Sequence, residues 1–408
     1  MKILLIHQAF AALDEPGGTR HVELCNYLAQ NGNIVHIITS PVSYLTGKDQ
    51  DRLGIETLQV GTGQIKIQRV NIYREFHRSF VHRTISFISF MFASFWAGLQ
   101  VGDVDIVWGT SPPLFQVVTA WLIARIKKAP FLFEVRDLWP AFAIQVGVLK
   151  NPILIRLSEW LERMLIKHAD CVVVNSPGFI EHVQERGAKR VECIPNGADP
   201  QLFDPMKNGG QLRDHYALKG KFVVLYAGAH GISNDLGTVL NAANLLKEER
   251  DIRVVLVGDG KEKAALIQQA NQMGLSNVLF LDSVKKIEMP EMLAMADACL
   301  AILKPIPLYG TVYPNKVFDY MAAGRPVILA MEGVIKELVR QEQAGLAVTP
   351  GNAHEIAQAI LTLKAHPELG KSMGMNGRRL IETQFNRQII AQQFLQVLQD
   401  CQKRKKCI

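Results

Sequence analysis

Tyr313-Pro314-Asn315-Lys316-Val317-Phe318-Asp319-Tyr320-Met321-Ala322-Ala323-Gly324-Arg325-Pro326-Val327 reads as a short helix bounded on both sides. Pro314 suits the first helical position, where a missing N–H costs nothing. Gly324 suits the left-handed residue that stops a helix. Val317, Phe318, Met321 and Ala322 recur at helical spacing and make a face to bury. Asn315, Lys316 and Asp319 share the other side, three or four residues apart. An amide, a cation and a carboxylate therefore lie near a helix N-terminus, where backbone N–H groups and the helix dipole favour an anion. A diphosphate on Asn315 and Lys316, with ribose hydroxyls on Asp319, would use all three. An ordinary amphipathic helix with a solvated polar face has the same spacing.

Strand and helix alternate on both sides of this segment. Strands are expected at 2–7, 34–39, 105–109, 131–135, 172–175 and 191–194, then at 222–227, 253–257, 277–281, 298–302 and 326–329. Helical patterns separate most of them, so the fold class is α/β with two parallel, doubly wound sheets. The chain has 408 residues, more than one core normally organises. The loop-rich stretch Pro195 to Gly210 marks a boundary. Domains are therefore expected at 1–200 and 201–385, with a last helix in 386–408.

Open α/β sheets bind ligands beyond the carboxyl ends of their strands, which singles out four loops. Pro16-Gly17-Gly18-Thr19-Arg20 follows the first strand, and its glycines would let backbone approach an anion. It is neither a Gly-x-Gly-x-x-Gly fingerprint nor a P-loop. Gly228-Ala229-His230-Gly231-Ile232-Ser233-Asn234 holds the same place in the second half, and Gly258-Asp259-Gly260 ends the next strand. Arg136-Asp137 ends another. His230 could bind phosphate, and Asp137 could take a proton from a substrate hydroxyl. Structural roles fit each of these residues too: a loop histidine, turn glycines, an internal ion pair.

The net charge is +7 and locally clustered. Lys66, Arg69, Arg74, Arg78 and Arg83 face a single acid, Glu75, and 84–102 then carries no charge. Ser86, Ser89, Ala93, Ala97 and Gln100 make a small, polar stripe along that apolar segment. Three readings remain open: a helix lying on an anionic membrane with Arg74, Arg78 and Arg83 beside it, a core helix, or a span. The basic cluster lacks any nucleic-acid recognition motif, so no nucleic-acid partner is expected. The six cysteines form no Cys-x-x-Cys pair, so neither a metal site nor a disulfide framework is expected. A reducing cytoplasm fits, and Met1–His7 reads as a buried strand, too short for a signal peptide.

Taken in order, the PGG loop, VRDLWP, IPNGAD, YAGAHG, LVGDG and PNKVFDYMAAGRPV resemble the retaining family 4 glycosyltransferases of the GT-B fold. The resemblance spans nearly the whole chain. It is closest to the bacterial O-antigen and exopolysaccharide subgroup, including N-acetyl-L-fucosaminyltransferases. It implies two Rossmann-like domains facing a central cleft, with the donor held mainly by the C-terminal domain and the acceptor by the N-terminal one. It also implies that the last helix crosses back to the N-domain, and that no metal or other cofactor is needed. Where many relatives carry two glutamates eight positions apart, Thr311 and Asp319 stand here. Where they carry Arg and Lys after the first C-domain strand, His230 and Asn234 stand here, and a common N-domain histidine is replaced by Arg136.

The expectation is a retaining glycosyltransferase using a nucleotide-diphospho-sugar, UDP-linked, with an N-acetylated deoxyhexose among the candidate sugars. Its acceptor is expected to be a polyprenyl-diphosphate-linked saccharide at the inner face of the cytoplasmic membrane, where the protein would be peripheral. Asp137, Arg136 and His230 are the candidate catalytic groups. Gly17, Gly18, Gly228, His230, Asn234, Gly258, Thr311, Asn315, Lys316 and Asp319 are the candidate donor site. A sugar-nucleotide epimerase and a non-catalytic nucleotide-binding subunit are the alternatives, because a fold does not fix a function.

Overall fold

The computed structural model describes residues 1–10, 19–42, 53–75, 78 and 80–406. They form two compact units, Met1–Pro195 with Gln388–Ile408, and Asn196–Arg387.

The first unit runs β1 (Lys2–Ile6), α1 (Arg20–Gln30), β2 (Ile34–Thr39), β3 (Gly54–Val60), β4 (Gly63–Arg69), α2 (Phe80–Gln100) and β5 (Ile106–Ser111). It continues through α3 (Leu114–Ile126), β6 (Phe131–Val135), α4 (Ala141–Gln145), α5 (Pro152–His168), β7 (Cys171–Val174), α6 (Ile180–Glu185) and β8 (Val191–Cys193). The sheet order is β3-β4-β2-β1-β5-β6-β7-β8. From β1 the chain first builds toward β2, then returns to β5 and builds the other way, so β1/β5 is the switch point. β5, β6 and β7 are buried along their whole length, which is why they read as unbroken apolar runs.

The hairpin β3–β4 is not in the sequence expectation. β3 pairs antiparallel at the sheet edge and is exposed nearly throughout, so it has no apolar face to reveal it. β4 alternates, burying Ile65 and Ile67, and it pairs parallel with β2. Lys66 and Arg69 are therefore strand residues, and Arg69 bonds Glu56 across the hairpin at 3.0 Å.

α2 settles the direction of the small, polar stripe. Of the expected stripe, Ser86 and Ala97 are buried, Ser89 and Ala93 half-buried and Gln100 exposed; Ser94, outside it, is buried. The Thr119 hydroxyl on α3 donates to the Met91 carbonyl at 2.9 Å, and the Ser94 hydroxyl lies 3.4 Å from it. A Cβ at Gly98 would stand 2.2 Å from the Ile123 side chain, so the two helices meet backbone to side chain there. The face that packs on α3 therefore runs through Ser94, Ala97 and Gly98, and it overlaps the expected stripe only in part. Among the described residues no helix is long and apolar enough to cross a membrane.

The second unit runs α7 (Gly210–His215), β9 (Phe222–Ala227), α8 (Leu236–Leu245), β10 (Ile252–Val257), α9 (Lys263–Gln272), β11 (Val278–Leu281) and α10 (Met289–Ala294). Then come β12 (Ala298–Ile302), α11 (Asn315–Ala322), β13 (Val327–Ala330), α12 (Val334–Gln341), β14 (Gly345–Ala347), α13 (Ala353–Ala365) and α14 (Pro367–Thr383). The sheet is parallel throughout, in the order β11-β10-β9-β12-β13-β14, with its switch point at β9/β12.

α15 (Arg387–Lys406) packs on the first unit, where Ile390, Phe394 and Leu398 join a core with Leu24, Leu28 and Trp108. The Phe394 and Trp108 rings lie 4.6 Å apart, and both are fully buried. Phe394→Ala is expected to destabilise this unit by about 3–5 kcal/mol, the usual loss for a buried aromatic. Urea unfolding followed by tryptophan fluorescence reads this unit alone, because all five tryptophans lie within it.

Candidate functional site

At the β9/β12 switch point, α11 presents Lys316 to the loop after β9. The helix is held there by Tyr320, one turn further on. The Tyr320 hydroxyl accepts from the Ala227 N–H at 2.8 Å and lies 3.2 Å from the Ala227 carbonyl, at the end of β9. Gly324 takes φ +65° just past the helix, and the Arg378 guanidinium donates to the Ala322 carbonyl at 2.6 Å. The Lys316 ammonium lies 3.9 Å from the centre of the Tyr226 ring. Its Nζ is buried with no hydrogen-bond partner among the described residues. Burial pushes its pKa down to about 7.

The glycines beside it serve close packing. A Cβ on Gly228 would come within 2.6 Å of the Lys316 Nζ, and one on Gly258 within 1.9 Å of the Gly228 carbonyl oxygen. His230 is fully buried, and both ring nitrogens lack partners among the described residues. Burial, then Lys263, push its pKa down to about 4 despite Asp259. His230 is therefore a neutral imidazole at pH 7, able to donate one hydrogen bond but carrying no charge.

Asp319 is buried, not on a solvated face, and its carboxylate meets Lys286 at 2.5 Å. Its other oxygen, Oδ1, has no partner among the described residues. Thr311 donates from its hydroxyl to the Leu308 carbonyl at 2.7 Å, and Asn315 is exposed at the start of α11. Asn234 sits half-buried in the loop after β9.

In the first unit the strand ends carry a second cluster. Glu134 on β6 is fully buried. It accepts from Arg20 Nε at 2.9 Å and Trp108 Nε1 at 3.1 Å, and His21 Nε2 lies 2.8 Å away. Burial opposes its charge, but His21 and Arg20 hold its pKa well below the carboxylate range. The His7 and His21 rings lie 4.1 Å apart, and burial keeps both neutral. His7 Nε2 in turn lies 3.4 Å from Arg136 Nη1. Next to Arg136, burial pushes the Asp137 carboxyl up to about 6 against the pull of Arg136.

Both halves match known domain families. Residues 17–197 match the model described as a glycosyl transferase 4-like domain, and residues 221–366 the one described as glycosyl transferases group 1. The chain is a glycosyltransferase of the GT-B fold. WcaI of Escherichia coli K12, named for glycosyl transfer in colanic acid biosynthesis, is 25% identical over 76% of this chain and 78% of its own length. The O-antigen chain mannosyltransferase C of Escherichia coli is 23% identical over 58% of this chain, which spans only 62% of that protein. The sucrose-phosphate synthase of Thermosynechococcus elongatus superposes with a TM-score of 0.78, at 21% identity and 98% coverage of both chains. HepE of Anabaena, solved with UDP-glucose, gives 0.72 at 18% identity over 98% of this chain and 100% of its own.

Lys316, Gly228, Gly258 and His230 thus gather at one switch point of this glycosyltransferase. Arg136 and Asp137 belong to the other unit. Gly17 and Gly18 lie outside the described residues. Arg74 and Arg78 are exposed, with Arg78 paired to Glu75 at 3.1 Å, and Arg83 is half-buried. Sequence reasoning missed Glu134, His7, His21, Tyr320 and Lys286. Glu134 left one signal, a lone acid inside the apolar strand Phe131–Val135.

The buried amine has a pH signature. The unfolded chain holds the Lys316 proton up to about 10.5, and the folded chain only up to about 7. Between those values the unfolded state binds more protons, so this residue's contribution makes folding more favourable as pH rises. Lys316→Met is expected to raise the melting temperature most at or below pH 7, with the gain shrinking toward pH 10. Differential scanning fluorimetry at pH 6.5, 8 and 9.5 reads this. A gain that does not vary with pH means the amine is not held as described.

Proposed function

We propose that this enzyme is a retaining family 4 glycosyltransferase of bacterial surface-polysaccharide assembly. The donor is a nucleotide-diphospho-sugar, UDP-linked, carrying an N-acetylated deoxyhexose such as N-acetyl-fucosamine. The acceptor is a polyprenyl-diphosphate-linked saccharide at the cytoplasmic membrane face. The observation that carries the reading is the buried, unpartnered Lys316 amine beside the first turn of α11. A desolvated cation with no counter-charge suits a ligand that brings the negative charge with it. The UDP-glucose bound to HepE, which has the same fold, supports a nucleotide-sugar donor.

The chemistry follows from where charge develops. As the glycosidic bond breaks, electrons pass to the leaving diphosphate, and stabilising that charge is the main electrostatic task. Lys316 supplies the cation, the N-terminus of α11 and Asn315 supply N–H donors, and neutral His230 supplies one more. Gly228, Gly258 and Thr311 shape the donor site, Asn234 closes it, and the free Oδ1 of Asp319 takes a ribose hydroxyl. Gly17 and Gly18 complete the loop after β1. In the first unit, Arg136 orients the acceptor and Asp137 takes the proton of its attacking hydroxyl, with attack on the face the leaving group departs from. No metal is assigned a role.

Two measurements test this reading. Isothermal titration with UDP-, GDP- and dTDP-sugars should single out one base. Lys316→Met should then weaken nucleotide binding by about 1.5–3 kcal/mol, the range for hydrogen bonds to charged groups. Unchanged affinity in the folded variant rejects the leaving-group site. Secondly, kcat/KM should fall below about pH 6 as Asp137 takes up its proton, because a base must be unprotonated to act. Asp137→Asn should lower kcat/KM at least 100-fold, the scale of general base catalysis, and abolish that acid limb. Turnover that epimerises the donor without transferring it would point to the epimerase instead.

A further inference from the structure

The outward side of the first unit carries large apolar side chains where a soluble protein carries polar ones. α2 buries its small residues against α3 and turns Val81, Ile85, Ile88, Phe92 and Trp96 to solvent. Their spacing of four, three, four and four is one continuous helical stripe, and it holds no charge. Trp96, at its far end, is 65% exposed. Ser86, Phe90, Ser94, Ala97 and Gly98 make the packed side, and the opposite, wet side is bulky and apolar.

α5 repeats the pattern in the same helical layer. α3 packs between α2 and α5, and the Trp121 and His168 rings meet at 5.7 Å. Only Glu162, Leu165 and Ile166 of α5 are buried, all in its C-terminal half. Glu162 is held by Arg186 at 2.6 Å and by His182 at 2.8 Å, which fastens that half to α6. The N-terminal half has no buried residue, yet Ile153, Leu157 and Trp160 recur along it, with Trp160 60% exposed. Asn151 caps it, accepting from the Ile153 and Leu154 N–H groups, so the half-helix is kept formed while its apolar residues stay outside.

Basic residues outnumber acids on the exposed sides of α3 and α5. Arg156, Arg163 and Lys167 on α5 are exposed and make no ion pair among the described residues. Arg125 and Lys128 are exposed at the end of α3, and Glu159 is the one exposed acid on α5. A two-fold contact between copies through this face would set these cations against themselves. A leaflet of anionic lipid takes both features together: tryptophan and aliphatic side chains at the headgroup–acyl boundary, and guanidinium and ammonium groups on phosphates.

We propose that the outward face of α2, α3 and α5 is the surface on which the enzyme lies on an anionic lipid leaflet. The need for such a surface rests on the lipid-linked acceptor proposed above, whereas its position is read from these three helices. It places α5, and not only the basic run before α2, at the lipid.

The full-length enzyme is tested by co-sedimentation with phosphatidylglycerol vesicles and phosphatidylcholine vesicles at low and high salt. Titration of the nucleotide-sugar into each variant is the control for folding and for the donor site. Wild type should bind phosphatidylglycerol at low salt and weaken with salt. The triple change Arg156→Gln, Arg163→Gln and Lys167→Gln should lower partitioning by on the order of 100-fold, at about fivefold per basic residue. The double change Phe92→Ser and Trp96→Ser, and separately Trp160→Ser, should lower it at least tenfold with nucleotide affinity unchanged. Failure of wild type to bind phosphatidylglycerol overturns the proposal, as does equal binding by all variants. Dimerisation in sedimentation velocity that the Phe92/Trp96 pair abolishes, without lipid binding, also overturns it and assigns the face to a second copy. Vesicle binding without nucleotide-sugar binding leaves the surface standing and sinks the glycosyl-donor reading instead.

Discussion

A buried amine without a counter-charge is the constraint around which the second unit is arranged. Taking an ammonium out of water is unfavourable, and a lysine answers by losing its proton or by finding a partner. Among the described residues the Lys316 amine has the face of Tyr226 and no hydrogen-bond partner. The surroundings nevertheless fix it from every side. Tyr320 fastens the helix to the end of β9, and Arg378 ties the helix end to the Phe203 and Pro200 carbonyls of the linker. Gly228 keeps its Cβ position empty so that the amine can pass. A group that weakens the fold yet is this well supported fits the binding role proposed for it.

The first unit solves a similar problem the opposite way. Glu134 is just as buried, but Arg20, His21 and Trp108 all reach it. Arg20 in turn donates to the Ile194 and Pro195 carbonyls at 2.8 Å, so the hub joins β6, the start of α1 and the end of the unit. A satisfied buried charge specifies structure, and breaking it is costly because the remaining partner is stranded. That separates the two clusters by role. The Glu134 hub is scaffold, and through His7 it sets where Arg136 lies; Lys316 and His230 keep bonding capacity open.

The difference explains what the sequence made legible. Helix Asn315–Ala322 was readable because its cues are local, an apolar period and a glycine after it, although Pro314 stands as the extended cap one place before the first turn and not in it. The loops at strand ends were readable because parallel sheets put them there. The partner of Asp319 was not, since Lys286 is 33 residues away and no spacing rule links them. Neither was the neutrality of His230, which comes from burial in three dimensions. β3 and β4 escaped because an exposed edge strand has no buried period, and the charges of β4 outweighed its two isoleucines. The polar stripe of α2 was read only in part, with Gln100 exposed and Ser94 and Phe90 buried, and without a direction, because a helix period shows that two faces differ and not which one meets the core.

Protonation of Lys316 links the proposed donor site to the anion proposed for it. With its pKa lowered to about 7 by burial, Lys316 is only partly charged at neutral pH. A diphosphate placed against it favours the ammonium, so its pKa must rise on binding, and above pH 7 binding draws in a proton. The cation is then complete only when there is an anion to meet it. His230, neutral and without a hydrogen-bond partner among the described residues, would add a hydrogen bond without adding a second buried charge that would repel the first. Replacing it by arginine, the residue many relatives place in this loop, would press a permanent cation against Lys316 and drive the amine further toward its neutral form. The departure from the common family pattern therefore has a physical consequence. On the proposed reading, a single titrating lysine, rather than a pair of fixed charges, would carry the neutralisation of the leaving group.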